Sequence, residues 1–251
     1  MRSSPVTAFN VAIWILGFIL IWEGIILLTN VEHFLLPTPQ SVGQVFVTRG
    51  SLLFHHALIT IAEILLGLGI GSACGMLTSL ALSGWPRAGR WVFPLLIISQ
   101  AIPVFAIAPL LVLWFGFGMA SKIAMSVLII YFPVTAAFYD GLRRTPTGWQ
   151  DLAHVMGGSK WLILRHLRFP AAIPALASGL RIATAVAPIG AVIGEWVGAS
   201  SGLGYLMLQA NARLQTDLMF AALIVLSLFA VTLYLLIDRI LRRALASWST
   251  V

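Results

Sequence analysis

The chain has 251 residues, of which 60% are apolar and 9% are charged, and its mean hydropathy is +0.99. A composition this apolar excludes a water-soluble domain and indicates a single integral membrane domain over residues 1–251. The net charge of +7 would favour nucleic acid as a partner of a soluble protein, but here the charges lie between apolar segments, so no nucleic-acid partner is expected.

Six apolar segments predict an all-α, polytopic protein that crosses a membrane six times. Each segment is near the roughly 20 residues that a hydrocarbon core demands. The first is too long for a signal peptide and lacks a small-residue cleavage site, so we expect it to remain as a span. The predicted spans are 9–28, 57–82, 91–115, 123–140, 174–198 and 218–240.

The basic residues predict the orientation of these spans. Of the 15 Lys and Arg, eleven fall at the termini and in alternate loops, Arg181 lies just inside a span, and the other loops hold Arg49, Lys122 and Arg213. Because Lys and Arg are enriched in cytoplasmic loops, both termini and the loop at about 143–173 are expected in the cytoplasm. The eleven are Arg2, Arg87, Arg90, Arg143, Arg144, Lys160, Arg165, Arg168, Arg239, Arg242 and Arg243.

A short helix is predicted between the first two spans. Thr38 is a suitable helix cap and Pro39 a suitable first helical residue. Val42, Val45 and Phe46 would then share one face. The pattern is typical of an amphipathic helix on the outer leaflet, with a packed external loop as the alternative.

Two spans carry glycine at every fourth position. Gly67, Gly71 and Gly75 lie in the second span, and Gly190, Gly194 and Gly198 lie in the fifth. This spacing lets helix backbones approach closely within a membrane. We interpret both as inner helices of one bundle, with a seam between two copies as the alternative.

Prolines interrupt two of the predicted spans. Pro94, Pro103 and Pro109 fall in the third span, and Pro133 falls in the fourth. Proline frees backbone carbonyls that protein or cavity water must satisfy, and discontinuous helices often border a translocation path. We therefore expect breaks in both spans and count Pro103 and Phe105 as candidate path residues.

Two carboxylates, Glu63 and Glu195, lie inside predicted spans. An acidic residue at the centre of a span costs about 2.5–3.5 kcal/mol on insertion scales, so such groups normally face a cavity or a partner. With the neighbouring Trp196 they are candidates for a translocation path; a structural hydrogen bond or a position near the interface is the alternative. Carboxylates without a compensating charge would repel sulfonate or nitrate and favour an aminopyrimidine.

The most informative stretch is the polar segment 151–170, DLAHVMGGSKWLILRHLRFP. Asp151 would begin a short helix, where a carboxylate suits the positive end of the helix dipole. Gly157 and Gly158 allow a tight turn, and Ser159 can cap a second helix. From residue types alone, a basic cytoplasmic loop lying on lipid headgroups is an equally good interpretation.

The spacing of this segment resembles a known motif. Asp151-Leu152-Ala153 is followed after three residues by Gly157, and after nine more by Leu167-Arg168-Phe169-Pro170. This pattern resembles the EAA loop of ABC importer permeases, which reads Glu-Ala-Ala, three residues, Gly, nine residues, Ile-x-Leu-Pro. The differences, at Asp151, Leu152, Leu167 and Phe169, preserve charge or apolarity.

Further blocks narrow the resemblance. The segments 102–110 and 114–118, Lys122, and the tripeptides 179–181 and 202–204 are similar to one branch of these permeases. That branch serves sulfonates, taurine, nitrate and thiamine-precursor pyrimidines. With these blocks, the resemblance covers nearly the whole chain from residue 36 onward.

The resemblance also implies partners and roles. The chain has no Gly-Lys dipeptide and hence no phosphate-binding loop of the ATPase type, so separate ABC ATPase subunits would bind ATP and Mg²⁺, with no cofactor or metal in this chain. A periplasmic or lipid-anchored solute-binding protein, a second permease copy in a homodimer, membrane lipid and a bacterial cytoplasmic (inner) membrane are implied as well. The implied ATPase-coupling residues are Asp151, Leu152, Ala153, Gly157, Trp161, Leu167, Phe169 and Pro170.

The expected function is therefore transport rather than catalysis: import of a small polar solute by alternating access. The best solute prediction is a thiamine-precursor or related pyrimidine, with sulfonate, taurine or nitrate as the alternative. An ion-coupled secondary transporter that uses Glu63 or Glu195 is an alternative of another class. An intramembrane enzyme would need a nucleophile and base, or metal ligands, and no such arrangement stands out in the sequence.

Overall fold

The computed structural model describes the backbone of residues 5–246 and the side chains of 10, 13, 14 and 16–246, so Arg2, used above for orientation, lies outside the described residues. Every regular element in this range is helical, which confirms the predicted all-α class. The elements are α1 (Pro5–Thr29), α2 (Pro39–Thr48), α3 (Gly50–Gly84), α4 (Pro86–Ser99), α5 (Val104–Phe115), α6 (Met119–Arg143), α7 (Thr147–Val155), α8 (Lys160–Ile163), a π-helical turn (Leu164–Arg168), α9 (Phe169–Gly198), α10 (Leu203–Ala212) and α11 (Thr216–Ala246).

Among the described residues, four helices are long and apolar enough to cross a membrane: α3, α6, α11 and the continuous helix Lys160–Gly198. The pair α4 and α5 would make a fifth span if it is counted as one. Helix α1 has 25 residues, from Pro5 to Thr29, and its stretch Leu16–Thr29 is apolar. The multi-pass architecture is clear, but the count of six spans is not confirmed.

The proline positions behave differently from one another. The predicted third span is bent by 98° between α4 and α5, and Pro103 is the residue that precedes α5, so the expected break occurs there. Pro94, Pro109 and Pro133 lie inside α4, α5 and α6, and the predicted breaks at these three residues are wrong. A helix tolerates the loss of one hydrogen bond when neighbouring helices hold it in place.

The fifth span also begins earlier than expected. Instead of starting at Pro174, the helix runs without a loop from Lys160 through the π-helical turn to Gly198. Within that turn the Phe169 N–H donates to the Leu164 carbonyl, one residue further back than in an α-helix. The wider turn accommodates Pro170, which has no N–H to donate.

Helix α6 is the centre of the bundle and packs between α3 and α9. A Cβ added to Gly71 would lie 2.9 Å from Ile130 Cγ2, and one added to Gly190 would lie 2.7 Å from Ser126 Cα. Gly67, Gly75 and Gly194 likewise face α6, and Gly198 faces Val112 of α5. Both glycine series therefore provide close helix packing within one chain.

The helix predicted between the first two spans is present as α2. The Thr38 hydroxyl accepts a hydrogen bond from the Ser41 N–H at 3.2 Å, and Pro39 is in the first turn. Val42 and Val45 are buried in the main core, while Phe46 remains partly exposed. The apolar face of α2 thus packs on the bundle rather than lying free on a leaflet.

Candidate functional site

The segment 151–170 folds as a helical hairpin at one end of the bundle. Within α7 no side chain is buried, and Leu152 and Val155 are exposed, as is Met156 just after the helix. Asp151 is the fifth residue of α7, so the expectation that it begins the helix is wrong, and its carboxylate is not at the positive end of the dipole.

The turn between α7 and α8 has the geometry expected from its residues. Gly157 has a φ of +80°, a region that favours glycine, and its N–H donates to the His154 carbonyl at 2.9 Å. A Cβ on Gly158 would lie 2.7 Å from the Ala153 carbonyl oxygen, so glycine fits closely there too. The Ser159 hydroxyl accepts from the Leu162 N–H at 3.3 Å and caps α8.

The second half of the hairpin has one exposed and one anchored face. Trp161 and Leu162 are exposed, whereas Ile163 and Leu164 are buried. The ring of Phe169 packs edge-on against Phe138 of α6, with the centroids 5.6 Å apart. Of the predicted coupling residues, Asp151, Leu152, Gly157 and Trp161 are exposed, and Ala153, Leu167, Phe169 and Pro170 are half-buried.

Arg168, which sequence reasoning treated only as a basic residue, joins the hairpin to two membrane helices. Its Nε donates to the Leu142 carbonyl at 3.0 Å, and its Nη1 donates to the Ser83 carbonyl at 3.4 Å. These carbonyls belong to the last turns of α6 and α3, where a cation also complements the helix dipole. The hairpin is therefore fixed to the ends of both helices.

A second polar cluster lies inside the bundle. The Lys122 Nζ is 2.6 Å from Glu63 Oε1, and both side chains are buried. Lys122 belongs to the first turn of α6, so its assignment to an outer loop is wrong. Glu63 has a compensating charge, and the premise of uncompensated carboxylates does not hold for it.

Glu195 is held by hydrogen-bond donors. Its carboxylate accepts from the Thr60 hydroxyl at 2.6 Å, from the Gly204 N–H at 2.5 Å and from the Tyr205 N–H at 3.1 Å. A carboxylate suits these free N–H groups at the start of α10. Gly202, with a φ of +116°, passes so close that a Cβ there would overlap the carboxylate. The structural hydrogen bond considered above is thus present.

Sequence reasoning missed the other members of this cluster. The Thr60 hydroxyl accepts from the Leu203 N–H at 2.7 Å, and His56 Nδ1 accepts from the Gly202 N–H at 2.9 Å. Together with Glu195 they fasten the start of α10 to α3 and α9. The only indication of this cluster in the sequence was that Thr60 and Glu63 lie shortly before the glycine series of the second predicted span.

The remaining candidate path residues are more exposed. Trp196 donates from Nε1 to the Gly204 carbonyl at 3.1 Å and is about half exposed. Pro103 and Phe105 lie at the bend between α4 and α5 with exposed side chains. A translocation role for these residues and for the two glutamates stays a prediction.

The chain is similar in sequence to a known protein family. The profile of the family described as "Binding-protein-dependent transport system inner membrane component" matches residues 67–246. The chain belongs to this family. A probable ABC transporter permease protein of Haemophilus influenzae is 56% identical, with 92% of this chain and 94% of that protein covered.

Several relatives of this permease carry the name of a solute, among them the riboflavin transport system permease protein RibX of Chloroflexus aurantiacus, which is 33% identical, with 96% of this chain and 90% of that protein covered. The formylaminopyrimidine transport permease protein ThiX of Halalkalibacterium halodurans is 38% identical, with 89% of this chain and 90% of that protein covered. The putative aliphatic sulfonates transport permease protein SsuC of Bacillus subtilis is 31% identical, with 94% and 88% covered. The fold is similar to a chain of the inward-facing MetNI methionine ABC transporter, with a TM-score of 0.65, 22% identity, and 76% of this chain and 95% of that chain covered.

Family membership fixes the general function. The protein is the permease subunit of an ABC importer, a multi-pass inner membrane protein and not an enzyme. The family implies a separate ATPase and a solute-binding protein as partners. Secondary transport and intramembrane catalysis, the alternatives from the sequence, are thereby set aside.

Proposed function

We propose that the hairpin 151–170 is the element through which the ATPase moves this permease. The observation that carries the proposal is that the hairpin has one exposed apolar side and one side fixed to the bundle. The outer side presents exposed apolar residues, namely Leu152, Val155, Met156 and Trp161, which is typical of a protein–protein interface. The inner side is fixed to α3 and α6 through Arg168 and Phe169.

In this mechanism, ATP and Mg²⁺ bind to the ATPase subunits and not to the permease. Closure of two ATPase subunits draws the hairpins of two permease copies together. Because each hairpin is fixed to the ends of α3 and α6, these helices tilt and the path opens toward the loaded binding protein. Hydrolysis reverses the movement. The proposal requires a homodimer with cytoplasmic termini and a cytoplasmic hairpin. The distribution of basic residues supports this orientation.

Arg168→Gln should uncouple transport from ATP hydrolysis. Hydrogen bonds from charged donors contribute about 1.5–3 kcal/mol each, so their loss should free the hairpin from α3 and α6. We expect roughly a tenfold fall in solute moved per ATP, with the ATPase still bound. The rate of solute uptake and the rate of ATP hydrolysis are both measured in proteoliposomes, and their ratio is compared between variants. Arg165→Gln, which removes an exposed arginine three residues earlier in the same π-helical turn, is the control; equal ratios in the two variants would contradict the role of Arg168.

For the solute, we propose a thiamine-precursor or related pyrimidine. The support is the relative named for formylaminopyrimidine, which is 38% identical, against 31% for the one named for aliphatic sulfonates. The charge argument from the sequence no longer contributes, because Glu63 is paired with Lys122 and Glu195 caps α10. Sulfonate, taurine or nitrate is the second candidate, favoured by the same block resemblance.

Uptake by the reconstituted importer tests the solute. Permease, ATPase and binding protein are placed in proteoliposomes, and labelled formylaminopyrimidine, an alkanesulfonate, taurine and nitrate are compared at equal concentration. We expect only the pyrimidine to accumulate and to stimulate ATP hydrolysis. The reason is that the relative named for formylaminopyrimidine is more similar to this chain than the relative named for aliphatic sulfonates. Accumulation of a sulfonate or taurine without the pyrimidine would overturn the proposal.

A further inference from the structure

A groove runs along the outside of the bundle between α3, α9 and α11. Its volume is about 310 Å³, and it lies at the level where α11 changes from apolar to basic residues. Its walls are almost entirely apolar. The residues that line it are Leu65, Leu68, Gly69, Ser72, Leu180, Thr184, Ile237, Ile240 and Leu241.

One wall of the groove carries a hydroxyl that has no partner. Ser72 is only 7% exposed, and its Oγ makes no hydrogen bond to any described residue. Thr184, on the opposite wall, is satisfied by the Leu180 carbonyl at 2.7 Å. An unpaired buried hydroxyl costs free energy, so an acceptor on whatever fills the groove would stabilise it.

The inner end of the groove is flanked by basic charge. Arg181 Nε lies 2.7 Å from Asp238 Oδ1, and Arg242 Nε lies 2.7 Å from Asp238 Oδ2. The two guanidinium groups therefore share one carboxylate. The Arg242 side chain is 75% exposed, which leaves its terminal nitrogens accessible. Arg239 and Arg243 add further positive charge at this end of α11.

We propose that this groove binds an anionic phospholipid. One acyl chain lies along the apolar walls, an ester or glycerol oxygen accepts from Ser72, and the phosphate lies beside Arg242. Basic sites between membrane helices are suited to anionic headgroups, and each arginine near the membrane surface adds to the attraction.

Gly69→Leu provides a direct block. A Cβ at Gly69 meets no atom within 4 Å, so the larger side chain enters the groove without disturbing the backbone. Gly24→Leu is the matched control, because a Cβ at that residue of α1 also meets no atom within 4 Å. The full-length permease is purified from membranes and equilibrated with nanodiscs of phosphatidylcholine that contain a small fraction of phosphatidylglycerol, and bound lipid is counted by native mass spectrometry.

We expect the wild type and Gly24→Leu to retain phosphatidylglycerol in preference to phosphatidylcholine, and Gly69→Leu to lose that preference. Arg242→Gln should weaken retention about fivefold while leaving the groove open. Equal retention in Gly69→Leu and wild type, or no preference between the two lipids, would overturn the proposal. So would conversion of dimers to monomers by Gly69→Leu, which would identify a second copy as the occupant. None of these readouts depends on the ATPase or on the solute.

Discussion

Lys122→Met is expected to lower the free energy of unfolding by about 3–5 kcal/mol. The substitution keeps the length of the side chain but removes the charge that lies 2.6 Å from Glu63 Oε1. The carboxylate would be left buried and unpaired, and Glu63 Oε2 already has no hydrogen-bond partner among the described residues. Equilibrium unfolding in mixed micelles, followed by circular dichroism, measures the loss.

A double variant separates the effect of losing the ion pair from the effect of changed side-chain packing. In Glu63→Gln/Lys122→Met both charges are absent, so most of the lost stability should return relative to Lys122→Met alone. The other lysine of the chain, Lys160, is exposed, and Lys160→Met should change stability by less than about 0.5 kcal/mol. If Lys122→Met costs no more than Lys160→Met, the buried pair does not stabilise α3 against α6.

Gly157→Pro is expected to abolish ATP-driven uptake and to weaken ATPase association by more than about tenfold, while the bundle stays folded. Proline is fixed near a φ of −65°, whereas Gly157 has a φ of +80°, and proline also lacks the N–H that bonds to the His154 carbonyl. Forcing the turn into another conformation costs on the order of 1–3 kcal/mol and reorients α7 relative to α8. Co-purification of the ATPase and proteoliposome uptake are the measurements.

The control for this substitution lies nine residues earlier in the sequence, at the start of α7. Gly148 is in the first turn of α7, where proline is tolerated, and a Cβ there meets no atom within 4 Å. Gly148→Pro should therefore retain the ATPase and transport. Undiminished ATPase binding by Gly157→Pro would mean that the hairpin is not the docking element.

The local features of the hairpin could be predicted from the sequence because they depend on a few neighbouring residues. A positive φ favours glycine, which is the residue at position 157. Serine is a common helix cap, and the Ser159 hydroxyl accepts from the N–H of Leu162, three residues later. The position of Asp151 was harder, since α7 begins at Thr147 without a strong capping residue. The continuity of α8 and α9 was also missed, because the π-helical turn Leu164–Arg168 that joins them has no recognised sequence signal.

Contacts between distant residues could not be predicted. Glu63 and Lys122 are 59 positions apart, and Lys122 lies at the edge of an apolar segment, where a charged residue is normally assigned to a loop. Arg168 bonds to backbone carbonyls of Ser83 and Leu142, and a carbonyl carries no side-chain identity in the sequence. Pro94, Pro109 and Pro133 remain inside helices because packing, which the sequence does not display, holds those helices together.

Site-directed crosslinking tests the coupling role most directly. In a Cys74→Ala background, which removes the one native cysteine, single cysteines replace Val155 of α7 and Val47 of α2. These valines are matched in exposure, at 85% and 87%, but they lie on the hairpin and on the helix between the first two predicted spans. With a short bifunctional reagent in native membranes, the Val155→Cys permease should crosslink to the ATPase and the Val47→Cys permease should not. A crosslink to the ATPase from Val47→Cys alone would contradict both the orientation and the coupling role of the hairpin.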